Sequence, residues 1–443
     1  MAPNVFAYGL AHILQRSSRG SFVVDKTKFL EQLFDVAGEH VMLLYPPRFG
    51  KSFFLTMLHT WYNMKTKEED WDACFKSSTL STTQLVERRS YYVLKLSLEV
   101  DVTQVSSTGI KKALDENISG SLDDFCAEYE LDVADLKHGN ALEYLKGVGR
   151  AIARKSGKLM VLVDEYDRYF NKVLTEGDGV RLDAVTVFDR QTLLSPLGSF
   201  FEALKSMQTF PLRTFRTVTA GIAPLALAES SSWNIGTSTS TVEQCWDLMG
   251  FSDEDIRSGL RLVPHITDAQ TGHFLEIFRR FYNGYRFHVN RPSVYNPTQC
   301  LFLLSRLFAD ERLCERLSQH EEVNDTAVLE KLDDPNVNAS SSLLIALVSV
   351  GGHVATAVWE ACNAEEGVTT SCSSLTDRLR VSELTLFCST ESSQEPEARV
   401  RSTALAILTH QGVLTRKCSS STPNMVIVGV PNKIVRLRHM LQL

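Results

Sequence analysis

The residues best placed to do chemistry stand in YPPRFGKS, residues 45–52, where Gly50, Lys51 and Ser52 match the second half of a phosphate-binding loop. A phosphate chain needs backbone N–H donors at a helix N-terminus, a lysine reaching its outer phosphates and a hydroxyl to ligate magnesium. Tyr45 occupies the place of the usual first glycine, and Pro46 and Pro47 carry no N–H. The donors must then come from Phe49 onward, with the fixed proline φ angles replacing the missing flexibility. The expected phosphate-binding set is Arg48, Phe49, Gly50, Lys51, Ser52 and Phe53. GKS alone occurs by chance, and its plain alternative is an exposed helix start with a solvated lysine.

A second group follows an apolar run. KLMVLVDEYD, residues 158–167, reads as a buried strand ending in acids. Asp164 is expected to hold magnesium through water, together with the Ser52 hydroxyl, and Glu165 to polarise an attacking water. The same stretch also fits a strand whose acidic end is merely solvated. A third group is TFRTVTAGI, residues 214–222, where Thr219 stands near a strand tip and Arg216 is the choice for neutralising transition-state charge. Arg213, Arg279, Arg280 and Arg286 are further basic candidates. Thr219 fits β-propensity equally well. Both acid and lysine motifs follow strands, in the right order, and that agreement makes a nucleotide and Mg2+ site the favoured reading.

The elements around these groups predict an α/β fold. VMLLY at 41–45 is a short apolar run of the kind buried on both faces of a parallel sheet, and the residues after it read as a helix. YYVLKLSLEV at 91–100 is a second strand, 158–164 a third and 214–222 a fourth, with helical periodicity at 141–153. Strands separated by helices require crossovers, hence a mostly parallel, helix-covered sheet. Residues 171–192 and the Ser/Thr-rich stretch 230–241 read as surface insertion and functional loop. From residue 250 the pattern turns helical, with a capping box at Ser252 and Asp255. FYNGYRF (281–287) and VYNP (294–297) contain turn-forming Asn-Gly and Asn-Pro and read as structural anchors. A polar connector at 321–341 precedes helix, strand and helix, with an acidic loop at 391–397.

Composition narrows the classes. With 443 residues, 44% of them hydrophobic and 22% charged, the chain is neither collagen-like, coiled-coil nor wholly disordered, and is long enough for two or three domains. A formal charge of −7 argues against coating nucleic acid by charge alone. Nine scattered cysteines without CxxC spacing suit reduced thiols in cytoplasm or nucleus, and no secretion signal or membrane span is read.

FVVDKTKFLEQL, YPPRFGKSFFLTML, LVDEYD, GFSDEDI, FYNGYRF and VYNP, in this order over residues 22–302, resemble the AAA-ATPase-like family. In many bacterial and fungal proteins this P-loop domain precedes a PD-(D/E)xK-type nuclease, and a similar module occurs in some Crinkler-type effectors. The family writes its loop RPRRFGKS, so a non-glycine at Tyr45 is normal for it, whereas Pro47 departs from it. The family commonly has threonine directly before the glycine of the fourth strand; here that residue is Ala220, with Thr219 one earlier. The resemblance implies a P-loop NTPase of the additional-strand class. No spaced Asp and Glu-x-Lys set follows IVGVPNKIVRLRHM, so the expectation is either an ATPase-only member or a chain cut short of its nuclease.

The expected organisation is a leader at 1–21, a P-loop core at 22–249, a helical lid at 250–320, the connector at 321–341 and a smaller C-terminal α+β domain at 342–443, winged-helix-like or docking. The leading function is magnesium-dependent ATP hydrolysis serving a protein partner or nuclease module. The alternatives are a nucleotide-binding or inactive P-loop scaffold acting as an effector or interaction protein, and a winged helix touching nucleic acid through Lys433, Arg436 and Arg438.

Overall fold

The structure, a computed structural model, describes residues 5–6, 13, 20–76, 78, 87–99, 107–132, 140–168, 190–222, 236–319, 332, 352–371, 375, 397–419, 421–422 and 424–440. The insertion at 171–189, the connector apart from Leu332, and the acidic loop at 391–396 lie outside the described residues.

Five parallel strands form the central sheet in the order β2-β3-β4-β1-β5: β1 His40–Leu44, β2 Tyr92–Ser97, β3 Lys158–Asp164, β4 Thr214–Gly221 and β5 Thr237–Ser238. β4 thus stands between the strand before the loop and the strand that carries the acids, the additional-strand arrangement. Val41 to Leu44 and Leu159 to Val163 are buried throughout, which explains their uninterrupted apolar runs. β5 corrects one expectation: residues 236–241 of the Ser/Thr-rich stretch form an edge strand and a 3-10 turn, while 223–235 lie outside the described residues.

Helices α1 (Lys28–Ala37), α2 (Lys51–Tyr62), α3 (Glu68–Phe75), α4 (Ser107–Glu128), α5 (Ala141–Arg154) and α6 (Arg190–Ser206) accompany the sheet. α5 shows why such segments form: the Asn140 side chain accepts the Glu143 N–H, and Tyr144, Leu145, Val148 and Ile152 make one buried face. Within the segment read as a leader, Phe6 and Ile13 are buried and the Ile13 N–H donates to Thr56 Oγ1 at 3.2 Å.

After residue 250 come α7 (Asp253–Leu260), α8 (Thr271–Tyr282), α9 (Pro297–Ala309) and α10 (Glu311–Gln319), packed round a second apolar cluster. The Ser252–Asp255 capping box is present. The C-terminal part holds α11 (Gly352–Asn363), α12 (Glu397–His410), α13 (Lys433–Met440) and an antiparallel sheet ordered β6-β8-β7, with β6 Val368–Ser371, β7 Thr415–Ser419 and β8 Met425–Gly429. Strand, helix and hairpin make the expected α+β unit. Its independence is not found: Ala404 to Leu408, Val413, Leu414, Val426 and Val428 belong to the same apolar cluster as β1 and β3. Among the described residues, no helix is long and apolar enough to cross a membrane.

Candidate phosphate-binding site

The parallel sheet brings the ends of β1, β3 and β4 together, and their backbones are stitched there. The Tyr45 N–H donates to the Gly221 carbonyl and the Tyr166 N–H to the Ala220 carbonyl, both at 3.3 Å. Between Leu44 and Lys51 the chain turns through two left-handed residues, Arg48 with φ 67° and Gly50 with φ 91°. Gly50 meets that requirement without strain, and as the N-cap it offers no side chain to compete for the amides at the start of α2. Arg48 has no such freedom. Its carbonyl accepts the Thr298 hydroxyl at 2.9 Å, which holds the turn from outside.

Lys51 opens α2 and folds its ammonium back over the loop, donating to the Tyr45 carbonyl at 2.7 Å and the Pro46 carbonyl at 2.9 Å. Burial lowers its pKa to about 8, while the fields of Asp167, Asp164 and Glu165 act in the opposite sense. A desolvated cation at a helix start, held by carbonyls that a phosphate would outcompete, fits an anionic ligand. Ser52 follows in the first turn. Phe49 is buried and can serve a ligand only through its backbone; Phe53 also packs against the core, and Arg48 is exposed.

The acids leave β3 in a tight turn. The Asp164 carboxylate accepts the Glu165 N–H at 3.0 Å, and Glu165 has φ 52°. Glu165 pairs with Arg168 at 2.6 Å, and Arg168 also reaches Glu99 at 2.5 Å. Asp167 is buried and accepts the Ile222 N–H at 2.8 Å, tying the acidic turn to the end of β4. Sequence reading assigns roles in this turn only to Asp164 and Glu165, not to Asp167. Its signal was the spacing, since the third residue after Asp164 in a turn comes back toward the strand end.

Two candidates are corrected by their positions. Arg216 is aligned with Met160 near the start of β3 and stands one residue before the partner of His40, at the N-terminal end of the parallel strands, opposite the loop. About five residues at roughly 3.3 Å each separate that level from the loop. There Arg216 bonds Glu39 at 2.6 Å and Glu87 at 2.5 Å, Lys158 joins Glu87 at 3.2 Å, and the guanidinium lies 4.2 Å from the Phe34 ring centre. It is a structural ion cluster. Thr219 is fully buried beside Met42 and Val163, its hydroxyl without a hydrogen-bond partner, inside the sheet rather than at its tip. Of the other arginines, Arg279 pairs with Asp253 and Glu276, and Arg286 turns to β7, donating to the Lys417 carbonyl at 2.8 Å.

The aromatic motif is the loop's support. Phe287 lies edge-on to Tyr45 at 4.7 Å and to Phe49 at 5.4 Å, with Tyr285 4.9 Å from Phe49. In VYNP, Asn296 caps α9 by accepting the Thr298 and Gln299 N–H groups, and Pro297 takes the first helical position. Lys26 reaches the Asp247 carbonyl at 2.8 Å and Asp255 at 3.6 Å, joining the FVVDKTKFLEQL stretch to the helical part. Among the described residues no group of three or more His, Cys, Asp and Glu side chains is placed to hold a metal ion.

Comparison with solved structures finds similarity to the Orc1 protein of Aeropyrum pernix in complex with DNA, at 11% identity and a TM-score of 0.36, covering 98% of this chain and 97% of that one. The Orc2 protein of the same organism, in ADPNP and ADP complexes, gives 13% identity and a TM-score of 0.35 over 94% and 90%. Cdc6p of Pyrobaculum aerophilum gives 10% and 0.30 over 99% and 98%. No curated protein matches the sequence. The model of one family, described as predicted AAA-ATPase, matches residues 8–229, the span that contains the loop, the acidic turn and all of β1 to β4. By that match the chain belongs to the AAA-ATPase-like family.

Proposed function

We propose that the chain binds ATP with magnesium at residues 48–53 and hydrolyses it. The observation that carries this reading is the Lys51 ammonium, folded over the carbonyls of Tyr45 and Pro46 at the start of α2 and opposed by Asp167, Asp164 and Glu165. The amides from Phe49 onward and Lys51 would hold the β- and γ-phosphates, while Ser52 and Asp164 would hold magnesium. Magnesium supplies charge neutralisation of the phosphate oxygens. Glu165 accepts the proton of the attacking water once its carboxylate leaves Arg168. Asp167 keeps the acidic turn against β4.

The division into a P-loop core at 22–249, a lid at 250–320 and a C-terminal unit at 342–443 is proposed as one of tasks: the later parts brace the loop and pass its state to a protein partner or nuclease module. Thr298 on Arg48 supports that reading. A second reading, a nucleotide-binding scaffold without turnover, is favoured by one feature, the burial of Thr219 and the methyl side chain of Ala220 at the end of β4. Magnesium-dependent ATP binding and turnover by the whole chain, compared with Lys51→Ala, test both. Loss of binding in the variant is expected; equal binding in both proteins would overturn the site, and binding without turnover in the unaltered chain would leave the scaffold.

A further inference from the structure

Where residues 283–287 reach β7, three cations stand near one another with no carboxylate partner among the described residues. The Arg286 N–H donates to Thr415 Oγ1 and its Nη1 to the Lys417 carbonyl, both at 2.8 Å, which lays the guanidinium along the strand. The Lys417 side chain passes over Gly429 on β8, where an added methyl would lie 3.3 Å from its Cε. Arg436 stands in the first turn of α13, its N–H bonded to the Asn432 carbonyl at 3.1 Å. All three residues are half-buried. Among the described residues none of them has a carboxylate partner.

Their basic neighbours are otherwise engaged. Arg416 donates to the Phe287 carbonyl at 2.5 Å, and Arg401 pairs with Glu360 at 3.0 Å. The contrast with Arg216 is informative: there a half-buried guanidinium has two glutamates, in a chain with 53 acidic and 46 basic side chains. Burial first, then the fields of Arg436 and Arg286, lower the pKa of Lys417. Like charges brought together out of water are costly unless a ligand neutralises them.

We propose that Arg286, Lys417 and Arg436 form a second anion site, distinct from the loop at 45–52, that takes a phosphate group, supplied either by a small phosphorylated ligand or by a nucleic-acid backbone. Guanidinium and ammonium together suit phosphate oxygens, the first as a planar fork and the second as a point charge. The site also adjoins the nucleotide loop through one residue, because Phe287, next to Arg286, carries the ring that packs on Tyr45 and Phe49.

The test uses the full chain with Lys51→Met, so that the first loop contributes little phosphate affinity. Inorganic phosphate and pyrophosphate are titrated by calorimetry, and a duplex of about 20 base pairs by fluorescence anisotropy at two salt concentrations. Saturable binding is expected in at least one arm, weakened roughly tenfold or more by Lys417→Gln and by Arg436→Gln, as for loss of a charge-assisted hydrogen bond. Binding of the free anions assigns the small ligand, and duplex binding alone, falling steeply with salt, assigns the nucleic acid. A separate readout guards against a structural explanation: Lys417→Gln should leave unchanged or raise the ligand-free melting midpoint, because it removes repulsion. No saturable binding in any arm, unchanged affinity in both variants, or a lowered ligand-free midpoint for Lys417→Gln would overturn the proposal.

Discussion

The hydroxyl of Thr298 donates to the carbonyl of Arg48 at 2.9 Å, so the first turn of α9 holds a left-handed residue of the phosphate loop across 250 positions of sequence. Arg48 is not a glycine, and its conformation must be enforced from outside. Thr298→Val should weaken ATP binding about fivefold, as expected for the loss of one neutral hydrogen bond, while Thr298→Ser keeps the donor and should bind normally. Titration with a fluorescent ATP analogue checks both. Equal affinity in all three proteins would show that the loop holds its own shape.

Lys51 gives the site a pH signature. Its pKa of about 8 lies below the ordinary 10.5 because burial outweighs the acids around it. Between those values the folded chain binds fewer protons than the unfolded chain, so this group's contribution to stability improves as pH rises from about 8 toward 10.5. Nucleotide binding runs the other way, since a phosphate requires the ammonium form. ATP affinity should therefore fall as pH rises through about 8, with proton uptake on binding. Calorimetry at pH on either side, in buffers of different ionisation enthalpy, measures that uptake. Lys51→Arg, which stays charged, should abolish the step if it folds and binds.

Much of the site was legible because local chemistry dictated it. Apolar runs ending at Leu44 and Val163 could only be buried strands, and a lysine and two acids at such ends face one another whenever the sheet is parallel. The same rule sets Arg216, the third residue of a parallel strand, at the end opposite the loop, whereas its partners Glu39 and Glu87 come from separate loops that no local pattern joins to it. Thr298 and Gly412 were invisible as loop contacts for the same reason. Nothing in VYNPT or HQGVL specifies what lies across the fold, whereas the cap at Asn296 was local and could be read.

Glu165 and Asp164 should separate in their effects. Glu165→Gln removes the base but keeps size and shape, so ATP should bind about as well while turnover falls roughly 10²-fold. Asp164→Ala should instead weaken the dependence of binding on magnesium. Steady-state turnover and binding at several magnesium concentrations distinguish them. Unaltered turnover in Glu165→Gln would shift the role of base to Asp167, whose field at Lys51 is the strongest of the three.

His410 predicts acid sensitivity in the C-terminal part. Burial, aided by the charge of Arg416, lowers its pKa from 6.5 to about 3, and its Nε2 is buried without a partner. As pH drops below 6.5 the unfolded chain takes up a proton that the folded chain refuses, so stability is lost toward about 3. The slope for one such group is at most about 1.4 kcal/mol per pH unit. Denaturant midpoints at pH 7 and 5 should differ less in His410→Gln than in the unaltered chain; an identical difference would place the acid sensitivity elsewhere.

The last prediction concerns the polar connector, poor in large apolar residues. If few core contacts crossed residues 321–341, a chain ending near Glu321 would keep its ATP site. The structure instead puts Gly412, φ 78°, where an added Cβ would lie 2.8 Å from Cβ of Pro46 in the phosphate loop. The Asn432 side chain donates to the Asn283 carbonyl at 3.0 Å, and Thr415 and Lys417 hold Arg286. A chain ending at 319 would strip these supports from the loop and from Tyr285 and Phe287, and it should fail to fold or bind ATP poorly. Gly412→Ala is the finer probe. It should destabilise by about 1–2 kcal/mol through its left-handed backbone alone, and by pressing on Pro46 it should lower ATP affinity as well. Denaturant midpoints and ATP titrations of the two proteins decide the matter. A folded chain ending at 319 that binds ATP normally, or Gly412→Ala with normal affinity, would show that the C-terminal part rests on the loop without shaping it.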